Sequence, residues 1–201
     1  MATEAHTAEA AAMGGMPPML AYTIRSPIQS GAGFPFIRIG QGPSAQVVTP
    51  NQPVDNSYWI VILDANKPAT KVQEWVWPGQ NNYALPGDLP QYMNNPGYLF
   101  AVVTQVLANS AVPQGAAYGY LATHGAGREL QKLEQISAYT QTGYGLFSRV
   151  SYILTGQCGP TITAYERSSF TDAALLLMSL MPLPNGQPPY SICDSYTFVT
   201  H

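Results

Sequence analysis

His124, Arg128 and Glu129 place an imidazole, a guanidinium and a carboxylate within six positions, the ingredients of proton transfer. Their surroundings argue for a structural role first. Gly125 and Gly127 follow the histidine, and the stretch "AVPQGAAYGYLATHGAGREL" puts it where the chain changes structure. Nucleophilic chemistry has less to stand on. There is no Gly-x-Ser-x-Gly elbow, and Cys158, beside Gly159 and Pro160, has no basic neighbour in sequence to lower its pKa. His6 and His201 lie at the two ends of the chain, and no His-x-x-x-His or Cys-x-x-Cys spacing closes a metal shell, so no metal is expected. "GAGFP" and "GQGP" lack the following helix and lysine of a phosphate cradle and read as turns. No cofactor is expected, and the reading is non-enzymatic.

Recognition is better served. "EWVWPGQNNYALPG" offers the flat faces of Trp75, Trp77 and Tyr83 beside the amides of Gln80, Asn81 and Asn82, a mixture suited to sugar or protein contact. Trp75 and Trp77 stand two apart on an expected strand, so covering the core is the stronger reading for that pair. The amide-rich loop after them is the better recognition surface.

Composition narrows the partners. Only 9% of residues are charged, with Lys plus Arg at 8 against 11 acidic residues, so no positive field gathers nucleic acid. A polar, Tyr-rich, weakly charged surface suits glycan contact, packing against copies of itself or an extracellular setting. No apolar run reaches the roughly 18 to 20 residues of a membrane span; that of residues 173–181 stops at Pro182. Residues 1–18 are rich in Ala, Met, Gly and Pro and lack the basic start and apolar core of a secretory signal, so the compartment stays open. Cys158 and Cys193 are compatible with one disulfide and equally with two free thiols.

These side chains need a scaffold, expected as one globular unit over residues 19–201 behind a low-complexity tail of residues 1–18. "AYTIRS" and "FPFIRIG" alternate as strands, "SYWIVILDA" reads as a strand buried on both faces, and "TKVQEWVW" as its hairpin partner across "ANKPA". The Pro- and Gly-rich loop after it is not regular for long. Leu99, Val102, Val103, Val106 and Leu107 recur at helical spacing, with Asn95 as N-cap and Pro96 at the first turn, so residues 96–109 are expected to be a helix. "AAYGYLAT" is expected as a strand and "GRELQKLEQISAYTQTG" as a second helix. "SRVSYILTG" and "TITAY" are expected as strands, and residues 171–181 as a short apolar helix.

The stretches "YTIRSPIQSGAG", "WIVILDANKPATKV", "AVPQGAAYGYLATHGAGREL" and "SRVSYILTGQCGP" occur in an order that resembles the ILEI/PANDER-like (interleukin-like EMT inducer) domains, over roughly residues 21–160. The resemblance implies an α+β fold: a compact mixed β-sandwich with two flanking helices, here followed by the short C-terminal helix. It also implies a non-catalytic role, as a cytokine-like signal or a sugar-binding stem module. In the sugar-binding case an arginine opening the last strand and an acidic residue face the glycan. The arginine matches Arg149, but His124 stands at the acidic position, and a neutral imidazole does not accept two hydroxyl bonds as a carboxylate does. The family's Phe-Asp before the first helix is also replaced, by "VWPGQNNY". The expectation is therefore a recognition module for a glycan or protein, using the Trp75–Tyr83 region, Arg149 and His124. The alternative is a self-assembling subunit of a homo-oligomer or filament, packing through residues 1–18 and 173–181.

Overall fold

The computed structural model describes residues 19–141, 148–160 and 163–194. The tail of residues 1–18, and its expected packing role, lie outside them. Two antiparallel sheets and three helices make up the described chain, an α+β arrangement with no closed barrel.

The first sheet contains β1 (Leu20–Ser26), β2 (Phe36–Ile39), β3 (Gln46–Val48), β10 (Ala174–Met181) and β11 (Ser191–Asp194), in the order β11-β10-β1-β2-β3. The second runs β5 (Lys67–Pro78), β4 (Ser57–Asp64), β6 (Tyr98–Gln105), β8 (Arg149–Gln157), with β9 (Ala164–Ser169) on the other side of β8. A two-residue strand, β7 (Leu107–Ala108), takes over from β6 beside the start of β8. The helices are α1 (Leu89–Met93), α2 (Gly115–Thr123) and α3 (Arg128–Gln141).

Strand alternation explains where the core sits. Trp59, Val61 and Leu63 of β4, with Leu99, Ala101 and Val103 of β6, point at the first sheet and meet Tyr22, Ile24, Ile37 and Leu180. The intervening Tyr58, Ile60, Ile62, Phe100 and Val102 point the other way, onto Leu89, Met93, Leu121, Leu130 and Leu133 of the three helices. The second sheet is covered on both faces. That is why "SYWIVILD" carries no polar alternation, as expected for a doubly buried strand.

The same layering corrects the expected helix over residues 96–109. Residues 98–105 form β6, which pairs residue by residue with β4 and through Leu99–Val103 with β8. A helix using the Leu99/Val102/Val103 face would turn Ala101 to solvent and leave Phe100 at the edge of that face, whereas in the strand both are fully buried. Apolarity on two faces of an extended chain mimics helical spacing.

Two further expectations are overturned. "AAYGYLAT" lies in helix α2, not a strand; its buried residues Ala117 and Leu121 are four apart, and its three alanines favour helix. Residues 174–181 are strand β10, not a helix, held between β1 and β11 with Ala174, Met178 and Leu180 inward. Helix-favouring Leu, Met and Ala yield there to a seven-residue register with β1. The other expected strands, β1, β2, β4, β5 and β8, and helix α3 stand where the sequence puts them; of "TITAY", residues 161–162 lie outside the described chain and β9 begins at Ala164. The turn of the β4–β5 hairpin is Ala65–Asn66, fixed by the Asp64 carboxylate accepting the Asn66 N–H at 2.8 Å.

Candidate functional site

Four elements of the second sheet share one end. β4 starts there at Ser57, which lies opposite both Pro78 at the end of β5 and Gln105 at the end of β6, and β8 starts there at Arg149. The ladder between β6 and β8 breaks at this end. Val103 pairs with Ile153 and Leu107 with Val150, so four steps along one strand oppose three along the other. The extra residue makes a β-bulge. Val106 within it has φ +48, a left-handed conformation that a β-branched residue enters only under strain. Its N–H reaches across to the Pro27 carbonyl at 3.1 Å, tying the bulge to the β1–β2 connection. Next to it, the Thr104 hydroxyl accepts the Tyr152 N–H at 2.8 Å.

The bulge leaves four polar side chains in a line. Arg149 donates through Nη1 to Ser30 Oγ at 3.2 Å, Ser30 donates to the Asp55 carboxylate, and Gln105 Nε2 donates to the other Asp55 oxygen at 3.3 Å. Arg149, Ser30 and Asp55 are exposed and Gln105 is buried. Asn56, beside Asp55, is the second non-glycine residue with positive φ (+57) among the described residues. Its side-chain oxygen accepts the Ala108 N–H at 2.9 Å and its carbonyl the Gly79 N–H at 2.7 Å. Asn51, Gln52 and Val54 of the same loop, with Glu74 and Val76 of β5, line an open cleft of about 460 Å³.

The expected Trp75–Tyr83 region splits. The half-buried Trp75 and Trp77 pack on the helix-side core, Trp75 edge-on to Tyr92 with ring centroids 5.6 Å apart. The Trp77 indole N–H goes to the carbonyls of Asn81 and Ala84, at 3.3 and 3.1 Å. Asn82 is buried, and its amide donates to the Val112 carbonyl at 2.7 Å, which makes it a strut of the loop. Gln80, Asn81 and Tyr83 are the exposed members, Tyr83 by 63%. They stand at the Arg149 end of the sheet, since residues 79–81 abut 109–111 and Ala108 pairs with Arg149.

His124 lies elsewhere. It closes the C-terminus of α2, roughly 15 Å along the helix axis from the Gln114–Asn82 bond at the other end. Its Nδ1 sits 2.8 Å from the Tyr120 carbonyl, an acceptor, so Nδ1 carries the proton. Its ring stacks on Tyr120 with centroids 4.0 Å apart. It marks a junction between two helices, where the sequence suggested strand to helix.

The disulfide alternative fails. Cys158 and Cys193 are both free thiols. Cys158 is buried against Met93, and burial pushes its pKa up to about 12, while Cys193 on β11 points its thiol at the Ser179 carbonyl. Among the described residues no group of three His, Cys, Asp or Glu side chains is placed to hold a metal ion, and no helix is long and apolar enough to cross a membrane.

Ser30, Asp55 and Gln105 escape a sequence reading because they stand 119, 25 and 50 positions from the partners that define them. A polar pair closing an otherwise apolar strand, Thr104 and Gln105, is the one local signal. The chain matches no protein-family model and no curated protein.

Proposed function

We propose that this chain is a non-catalytic recognition module that binds a glycan at the loop-bearing end of the second sheet, a surface equally open to a protein partner. One observation carries the reading: the Arg149–Ser30–Asp55–Gln105 line is flanked by Asn56 and Val106, the two left-handed non-glycine residues among the described residues. Strained backbone persists where its surroundings over-determine it, and such sites cluster at ligand-binding positions. The line suits a sugar's vicinal hydroxyls. Of about four lone-pair sites on the Asp55 carboxylate, Ser30 and Gln105 use two, and the Arg149 guanidinium turns further N–H donors to solvent. Gln80, Asn81 and Tyr83 extend the same surface with amides and an exposed ring. The resemblance to ILEI/PANDER-like domains belongs to this proposal. The element order behind it differs from the structure at three stretches, so the weight falls on the geometry. Glycan-array binding by the wild-type chain beside Arg149→Ala and Asp55→Asn tests the reading.

A second reading, self-assembly, has its own observation. Leu175, Leu177 and, past Ser179, Met181 lie on the outward side of β10, exposed by 48, 51 and 38%, and Val47 on β3 is 59% exposed. Apolar side chains exposed together on one sheet face, as these are among the described residues, favour packing between copies. Light scattering of the full chain and of the Leu175→Ser/Leu177→Ser variant separates the cases: a concentration-dependent oligomer lost in the variant supports assembly, and a monomer throughout excludes it.

A further inference from the structure

We draw no further inference here: the strongest candidate, the apolar notch between the 84–90 loop and α2 that the Tyr120 ring lines, carries nothing, because the unpartnered Tyr120 hydroxyl is closed off from solvent and nothing in the structure shows what covers the notch.

Discussion

Glu166 and Glu129 exchange carboxylates across the seam between β9 and α3. Glu166, on the strand, accepts the N–H groups of Gly127, Glu129 and Leu130 at 3.0, 2.7 and 3.2 Å, the free donors of the helix N-terminus. Glu129, in the first turn of the helix, accepts the Ser168 N–H of the strand at 3.1 Å and its hydroxyl. Each element thus satisfies the other's backbone, and a negative charge sits where the helix dipole favours it. Glu166 also accepts the hydroxyl of buried Tyr152 at 3.0 Å. Burial first, and the Glu166 charge second, hold that phenol well above its usual range.

Removing the Glu166 carboxylate strips a cap and orphans several donors together. Glu166→Ala is expected to lower stability by about 2 to 3 kcal/mol. Glu166→Gln, which keeps one acceptor oxygen, is expected to lose about half of that. Denaturant midpoints measure both, and an undiminished midpoint in the near-isosteric Glu166→Gln variant would show that the cap contributes nothing beyond side-chain packing.

Phe100 separates the strand from the helix that the sequence suggests. Fully buried on β6, it is expected to cost about 3 to 5 kcal/mol on truncation to alanine. On a helix packed through Leu99, Val102 and Val103 it would lie at the edge of the packed face and cost markedly less. Thermal unfolding of Phe100→Ala reads the difference.

This residue also shows what was legible in the sequence. The β4–β5 hairpin and α3 could be read because each has a single explanation: six consecutive apolar residues ending at an Asp-Ala-Asn turn, and Leu130 and Leu133 on one face of a polar helix. β6, α2 and β10 could not. Covering on both sides removes the period-two signal from β6, and half-exposed Tyr118 and Tyr120 blur the face of α2. The outward leucines of β10 hide its alternation. The site was legible only at Arg149, which opens a strand, and at the exposed part of residues 80–83. Its other members are assembled by a bulge and by loops distant in sequence.

Gly79 holds the amide-bearing loop against the site. A Cβ there would lie 2.8 Å from both the carbonyl and the side-chain oxygen of Asn56 and 3.0 Å from Ala111. Gly79→Ala is therefore expected to destabilise by about 1 to 3 kcal/mol, because backbone must move. Amide shift changes confined to residues near 56, 79–83 and 108–112 would accompany it; an unperturbed spectrum would show that the loop is not seated as described.

Cys158 makes stability fall on the alkaline side. Its folded pKa, about 12, exceeds the ordinary value of 9.0, so above pH 9 the unfolded chain releases this proton while the folded chain keeps it. Between pH 9 and 12 this thiol alone is expected to remove up to about 1.4 kcal/mol per pH unit, and Cys158→Ala flattens the slope. At neutral pH, alkylation of the native protein is expected at half-buried Cys193 before Cys158. Modification of Cys158 first would contradict its burial.

The proposed recognition surface is tested most directly by probing a glycan array with the wild-type chain, Arg149→Ala and Asp55→Asn side by side, all three confirmed folded. Retention of the wild type is expected on a restricted set of glycans, with at least about tenfold weaker retention of each variant, about 1.4 kcal/mol. No retention above background, or retention that both substitutions leave unchanged, would contradict it.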